Sequence, residues 1–176
     1  VVVVLEGLVG EQVVHRDAQD RRVEAVELGE AAYIPVGHDV PRDLFGEAKD
    51  SIDQLPVDDV ITALKPLLED KSVLKIGQNL KYDWQILNTY GIDMAPCDDT
   101  MLLSYVLDGT EHKHGMDTLA ELFCGHETIK YKDVAGSGKS QVTFDKVPID
   151  KALDYAAEDA EITLRLHKLF KPRLPL

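Results

Sequence analysis

The run Gly77-Gln78-Asn79-Leu80-Lys81-Tyr82-Asp83 decides the fold, together with its answer some seventy residues later, Tyr155-Ala156-Ala157-Glu158-Asp159-Ala160. Val73-Leu74-Lys75-Ile76-Gly77, which leads into the first run, reads as a short strand that feeds directly into a helix over about 81–90. Asp83 then falls in the first turn of that helix, where the macrodipole favours a carboxylate. In the second run Tyr155 and Asp159 are four residues apart, on one face of a helix and a turn from each other. Each run thus sets an acid beside an aromatic hydroxyl.

Working outward, Val1 to Leu5 reads as a strand buried on both faces, and strand-like sequence resumes at Val23 and over 31–36. Pro56 opens a helix with one apolar stripe, Val57, Val60, Ile61, Leu64, Leu67 and Leu68, in which Pro66 predicts a kink or an early end. Residues 100–107 and 116–123 give two further helices, the second ended by Gly125. Residues 131–141 read as a flexible Gly and Lys loop, and a last helix runs from 148–150 to Lys171, where Pro172 stops it. Strands first and helices afterwards, with no repeat and no linker, predict one α/β unit, a mixed sheet flanked by helices in a single domain over 1–176.

The chain has 176 residues, 44% of them hydrophobic and 29% charged, the composition of an ordinary globular protein. Its net charge of −13 argues against tight phosphate-backbone binding, which needs Lys and Arg, while permitting a site where carboxylates gather divalent cations. The two cysteines, Cys97 and Cys124, have no zinc or disulfide spacing and read as reduced thiols. The Val1–Leu5 run is too short for a signal or a membrane span, so the expectation is a cytoplasmic protein with no membrane partner.

Acids on separate elements suit two-metal phosphodiester cleavage, in which ions about 3.5–4 Å apart activate a water and stabilise the leaving oxygen. Taken alone, Asp83 is an ordinary helix-end acid, and Asp154, Glu158, Asp159 and Glu161 are an ordinary solvated face. Together the two runs favour the metal site.

Four segments carry a family resemblance: Lys75 to Asp83, Asp99-Thr-Met-Leu-Leu-Ser-Tyr-Val-Leu107, Met116-Asp-Thr-Leu-Ala120 and Tyr155 to Thr163. Over about 23–173 the chain resembles the 3′–5′ proofreading exonuclease domain of bacterial DNA polymerase I. The resemblance implies a ribonuclease H-like fold and a DEDD-type exonuclease with tyrosine in its third motif, releasing 5′-monophosphates from a single-stranded DNA 3′ end. Two divalent cations, Mg²⁺ or else Mn²⁺ or Zn²⁺, would be its cofactors. Asp83 matches the second-motif acid, Asp159 the third-motif metal ligand, and Tyr155 the tyrosine that orients the attacking water. Tyr131 matches the aromatic that stacks on the terminal base, a contact worth roughly 1–3 kcal/mol. Gln78, Asn79 and Tyr82 would contact the single strand or position Asp83, although strand-end hydrogen bonding, and for Asn79 a helix N-cap, is the plainer account. The resemblance also implies a bacterial cytoplasmic fragment, monomeric when isolated, whose partner is the polymerase domain of the same longer chain.

The first motif breaks the pattern. The family has Asp-x-Glu at the end of its first strand; here Glu6 matches the Glu, as a catalytic residue and metal ligand, and Val4 stands where the bridging Asp belongs. A valine cannot ligate a metal. Three alternatives stay open: a catalytically impaired domain kept for structure, a ribonuclease D-like RNA exonuclease, or a reading-frame or sequence error across 4–22. The Gly-Lys loop and the 99–107 run favour the polymerase family over the ribonuclease.

Overall fold

The computed structural model describes residue 31 and residues 33–39 and 54–175. Helix α1, Val57–Glu69, turns Val60, Ile61, Leu64 and Leu68 inward, as its apolar spacing demands. Pro66 does not end the helix at once: its ring lies exposed, three residues follow it in helix, and the missing N–H forfeits one bond, that to the carbonyl four residues back. Strand β1, Lys75–Gly77, is buried throughout and pairs in parallel with β2, Cys97–Asp99, in the register Lys75 with Cys97, Ile76 with Asp98 and Gly77 with Asp99. Helix α2, Leu80–Thr89, leaves the end of β1, and α3, Thr100–Asp108, leaves the end of β2.

Helix α4, Met116–Leu119, continues into a π turn, Ala120–Cys124, which Gly125 closes at φ 61°. The expected helix over 116–123 is therefore present with a widened second half. Residues 131–141 correct the expectation of a plain loop: Tyr131–Ala135 forms a short helix, α5, and a 3₁₀ turn follows at Gly138–Ser140. A Cβ on Gly136 (φ 79°) would lie 3.0 Å from the Ser140 carbonyl oxygen, so the sharp turn between them needs glycine. The longest element, α6, spans Ile149–Phe170, and Pro172 lies in a 3₁₀ turn beyond it.

The strand expected over 31–36 is not seen: residues 31 and 33–39 make no ladder among the described residues. Pro35 has no N–H to give. The segment is pinned instead by the paired contacts between the His38 main chain and the Gln54 side chain, at 2.8 and 2.9 Å, and by the Asp39 N–H on the Asp145 carbonyl. The strands expected at Val1–Leu5 and at Val23 lie outside the described residues.

One apolar cluster packs α1 on α2, Ile92 and Met94, and three others meet along α6. Leu103, Leu119, Ala120, Ile162, Leu166 and Phe170 join α3, α4 and the π turn to its C-terminal half. Ile76 of β1 packs on Ala160 and Leu164. Ala135, Phe144, Val147, Ala152 and Tyr155 close the N-terminal half. Both cysteines are free, in accord with the reduced thiols expected, and burial pushes both above the ordinary thiol range.

Two acids at adjacent positions of β2 do different work. Asp99 accepts from the Asn79 and Leu80 N–H groups at the start of α2 (3.0 and 2.9 Å) and from the Met101 N–H of α3 (2.9 Å), so one carboxylate caps two helices. Asp98 joins β2 to the end of α6, accepting from His167 Nε2 at 2.7 Å and Lys171 Nζ at 3.0 Å. Burial, the largest single influence, would push the Asp98 carboxyl up; the His167 and Lys171 hydrogen bonds and charges together bring it below the ordinary 3.8.

Replacing Asp99 by Ala should lower stability by about 2 kcal/mol or more through the lost caps, read as a shift in the urea midpoint. For Asp98 the folded carboxyl titrates lower than the unfolded one, so its contribution is complete above about pH 4 and is lost as pH falls through the lower folded value. Acid titration of wild type against Asp98→Asn should show that increment of acid sensitivity missing from the variant.

Candidate active site

Asp83 and Asp159 are 5% and 6% exposed, far below what acids on a solvated face would show. Asp83 is reached from the C-terminal end of β1 through the Asn79 corner. Asp159 precedes Ala160, which packs on Ile76 of the same strand. Both acid-bearing helices are thus tied to one strand, α2 by following it in the chain and α6 by packing on it. Of the other acids on this helix, Asp154 is exposed and Glu158 is half-buried, so only part of the cluster is a solvated face.

The Asn79 corner shows how α2 is aimed. Asn79 holds the N-cap position in the left-handed region, φ 57° and ψ 39°, which Asn tolerates better than most residues, but its side chain makes no capping bond. Asp99 supplies the cap from the neighbouring strand. Gln78 does strand-end bonding: its amide donates to the His114 carbonyl at 2.8 Å, and its oxygen accepts from the Thr100 hydroxyl, which also lies 3.1 Å from the Gly77 carbonyl. Tyr82, in the first turn of α2, is 50% exposed.

Tyr155 is buried at 7% in an aromatic wall. Its ring meets Tyr131 edge-on, centroids 6.1 Å apart, and Phe144 at the same separation, while Tyr131 and Phe144 stack at 6.4 Å. Tyr131 opens α5 and keeps 36% of its surface exposed, so this wall has one open ring. Neither Phe144, nor Asp99 as a double cap, nor Glu158 as an anchor was singled out from sequence. Phe144 has Val142 and Val147 as its nearest apolar neighbours in a short irregular stretch, with no sustained period to betray it.

Glu6 and Val4 lie outside the described residues. Among the described residues no group of three or more His, Cys, Asp or Glu could hold a metal ion. Asp83 and Asp159 nonetheless fit a hard divalent cation in donor chemistry, being buried carboxylate oxygens on two rigid helices. No helix among the described residues is long and apolar enough to cross a membrane.

A parallel strand pair with a long helix packed across it, with one buried acid on α2 and another on α6, places the chain in the ribonuclease H-like fold class. The fold assignment rests also on a solved neighbour, Brucella melitensis NrnC, which matches with a TM-score of 0.53 at 24% identity over 63% of this chain and 52% of that one. Residues 23–175 match the family model for the type A DNA polymerase exonuclease domain, described as 3′–5′ exonuclease, and the chain belongs to that family. It is 57% identical to DNA polymerase I of Rhizobium leguminosarum over 145 residues, and 46% identical to that of Pseudomonas aeruginosa over 168. These alignments cover 82% and 90% of this chain but 14% and 17% of those polymerases, so the chain spans only a small part of their length. The family match begins past both Val4 and Glu6.

Tyr155→Ala should cost about 3–5 kcal/mol by emptying the wall, whereas Tyr155→Phe should stay within about 1 kcal/mol of wild type. Thermal unfolding of the two variants separates the ring's packing from any work of its hydroxyl.

Proposed function

We propose that this chain removes 3′-terminal nucleotides from single-stranded DNA by metal-assisted hydrolysis, as the proofreading exonuclease of a longer DNA polymerase I in the bacterial cytoplasm. The observation that carries the reading is the burial of Asp83 and Asp159, on the helix that follows β1 and on the helix that packs on it, with Tyr155 one turn before Asp159 in a wall that ends in the half-open ring of Tyr131. Asp83, Asp159 and Glu6 would hold two divalent cations, Mg²⁺ or Mn²⁺. Bound there, the cations would lower the pKa of a water and offset charge on the leaving oxygen.

The chain's own groups supply position. The Tyr155 hydroxyl orients the attacking water, and its ring is fixed by Phe144, Ala152 and Val147. Tyr131 takes the terminal base on its open face. Tyr82 and Asn79, exposed at the start of α2, line the path of the strand, and Gln78 holds the Asn79 corner in place from β1. An acidic surface is tolerable if only a few terminal nucleotides are gripped here while the polymerase region holds the duplex.

Val4 is the sole ground for a second reading, which the family match and the relatives do not favour, in which the domain has lost turnover and keeps its fold as support for the polymerase. Two close cations repel, and without the bridging carboxylate less negative charge offsets that repulsion. Digestion of a 5′-labelled single-stranded oligonucleotide with Mg²⁺ or Mn²⁺ separates the readings. The wild-type chain should shorten the label from its 3′ end, and Asp159→Ala should lower the rate at least 100-fold, as expected when an electrostatic contact specific to the transition state is removed. Equal inertness of the two overturns the enzymatic reading for this chain. Activity gained only on Val4→Asp places the defect in the first motif.

A further inference from the structure

Glu158 was read from sequence as one acid of a solvated face, yet both of its oxygens are committed. Oε1 accepts from His126 Nε2 at 2.7 Å, and Oε2 accepts from the Ile129 N–H at 2.6 Å. Both donors lie in residues 125–130, the connection between the π turn and α5. Ile129, two residues before Tyr131, also packs against the cluster that contains Tyr155. The connection has a second, separate tie to α4, where the buried Thr128 hydroxyl donates to Asp117 at 2.6 Å.

We propose that Glu158 is a positioning residue for Tyr131, setting the plane of the stacking ring relative to Asp159. The inference rests on the reading of Tyr131 as the platform for a terminal base. A stacking surface selects a geometry only if its ring is held, because base–aromatic stacking requires overlapping faces. Tyr131 is held on one side by Phe144 and Tyr155 and on the other by the chain that enters α5. That chain is fastened to α6 through Glu158, the residue next to Asp159 and on the same flank as Tyr155. One helical turn thus carries the acid and the anchor of the ring, with no freely turning segment between them. His126 is the outer half of the anchor, 37% exposed at its side chain.

A double-mutant cycle on single-strand binding tests this without requiring turnover. The 176-residue chain is titrated into a short 5′-fluorescein oligothymidylate at low ionic strength without divalent ions, and anisotropy gives the Kd. Tyr131→Ala should weaken binding roughly ten-fold, the size expected for one lost stack. Glu158→Ala should weaken it to a similar degree, and the double variant should bind no more weakly than Tyr131→Ala alone. Glu158→Gln should stay close to wild type, because its amide oxygen still accepts from the Ile129 N–H. Independent, multiplicative losses, or wild-type binding by Glu158→Ala, overturn the inference and leave the platform reading standing. Wild-type binding by Tyr131→Ala, or no binding by wild type, overturns the platform and the inference together. Should circular dichroism show Glu158→Ala unfolded, His126→Ala enters the same cycle, where a loss that persists in the Tyr131→Ala background overturns the proposal.

Discussion

The Asp99 carboxylate is the contact on which the rest of the site's geometry depends. Parallel strands bring two chain ends side by side, and each must pass at once into a helix whose first N–H groups lack intrahelical partners. A single acid at the end of β2 serves both starts, bonding Asn79 and Leu80 across the strand pair and Met101 along its own chain. The first turn of α2 is thereby registered against α3, and Asp83 is carried by that turn. The Asn79 side chain is released from capping, although its backbone occupies the cap position.

The other half of the site hangs on α6, whose length lets one rod serve several cores. Its middle packs on Ile76, its end on α3 and the π turn, and its beginning on the aromatic wall. An acid placed on such a rod inherits the stiffness of everything packed against it. Asp98, His167 and Lys171 fasten the far end to β2, so the strand pair and α6 are joined by an ionic tie at one end and by apolar packing at the middle.

Sequence alone made the long elements legible, because α1, α2, α3 and α6 each repeat apolar residues over several turns, or carry a motif whose spacing only a helix satisfies. It also marked Asp83, Tyr155 and Asp159 for chemistry. The five residues of α5 are too few to show a period and are flanked by a glycine turn, so they resembled loop. Pro66 predicted a kink or an early end, and the helix runs three residues past it before stopping at Glu69. The hydrogen bonds of Glu158 were illegible for a different reason: the Ile129 N–H is 29 residues away in the chain, and a backbone donor leaves no mark on residue identity. Asp99 was visible as part of a motif, but its double duty requires knowing that β1 and β2 are neighbours.

Lys75 gives the strand pair a polarity of purpose. Its side chain is fully buried at the N-terminal end of β1 and donates to the Asp70 carbonyl at 2.8 Å and the Ala95 carbonyl at 2.6 Å, joining the turns that precede both strands. Burial pushes its ammonium below the usual lysine range, the mark of a group held for its hydrogen bonds more than for its charge. At the opposite, C-terminal edge lie Gly77, Asn79 and Asp99, and in open α/β sheets that edge is where ligands are taken. One rim of the sheet is thus a foundation and the other a workbench. Changes on the working rim away from the Asp99 caps leave the Lys75 ties at the other end in place.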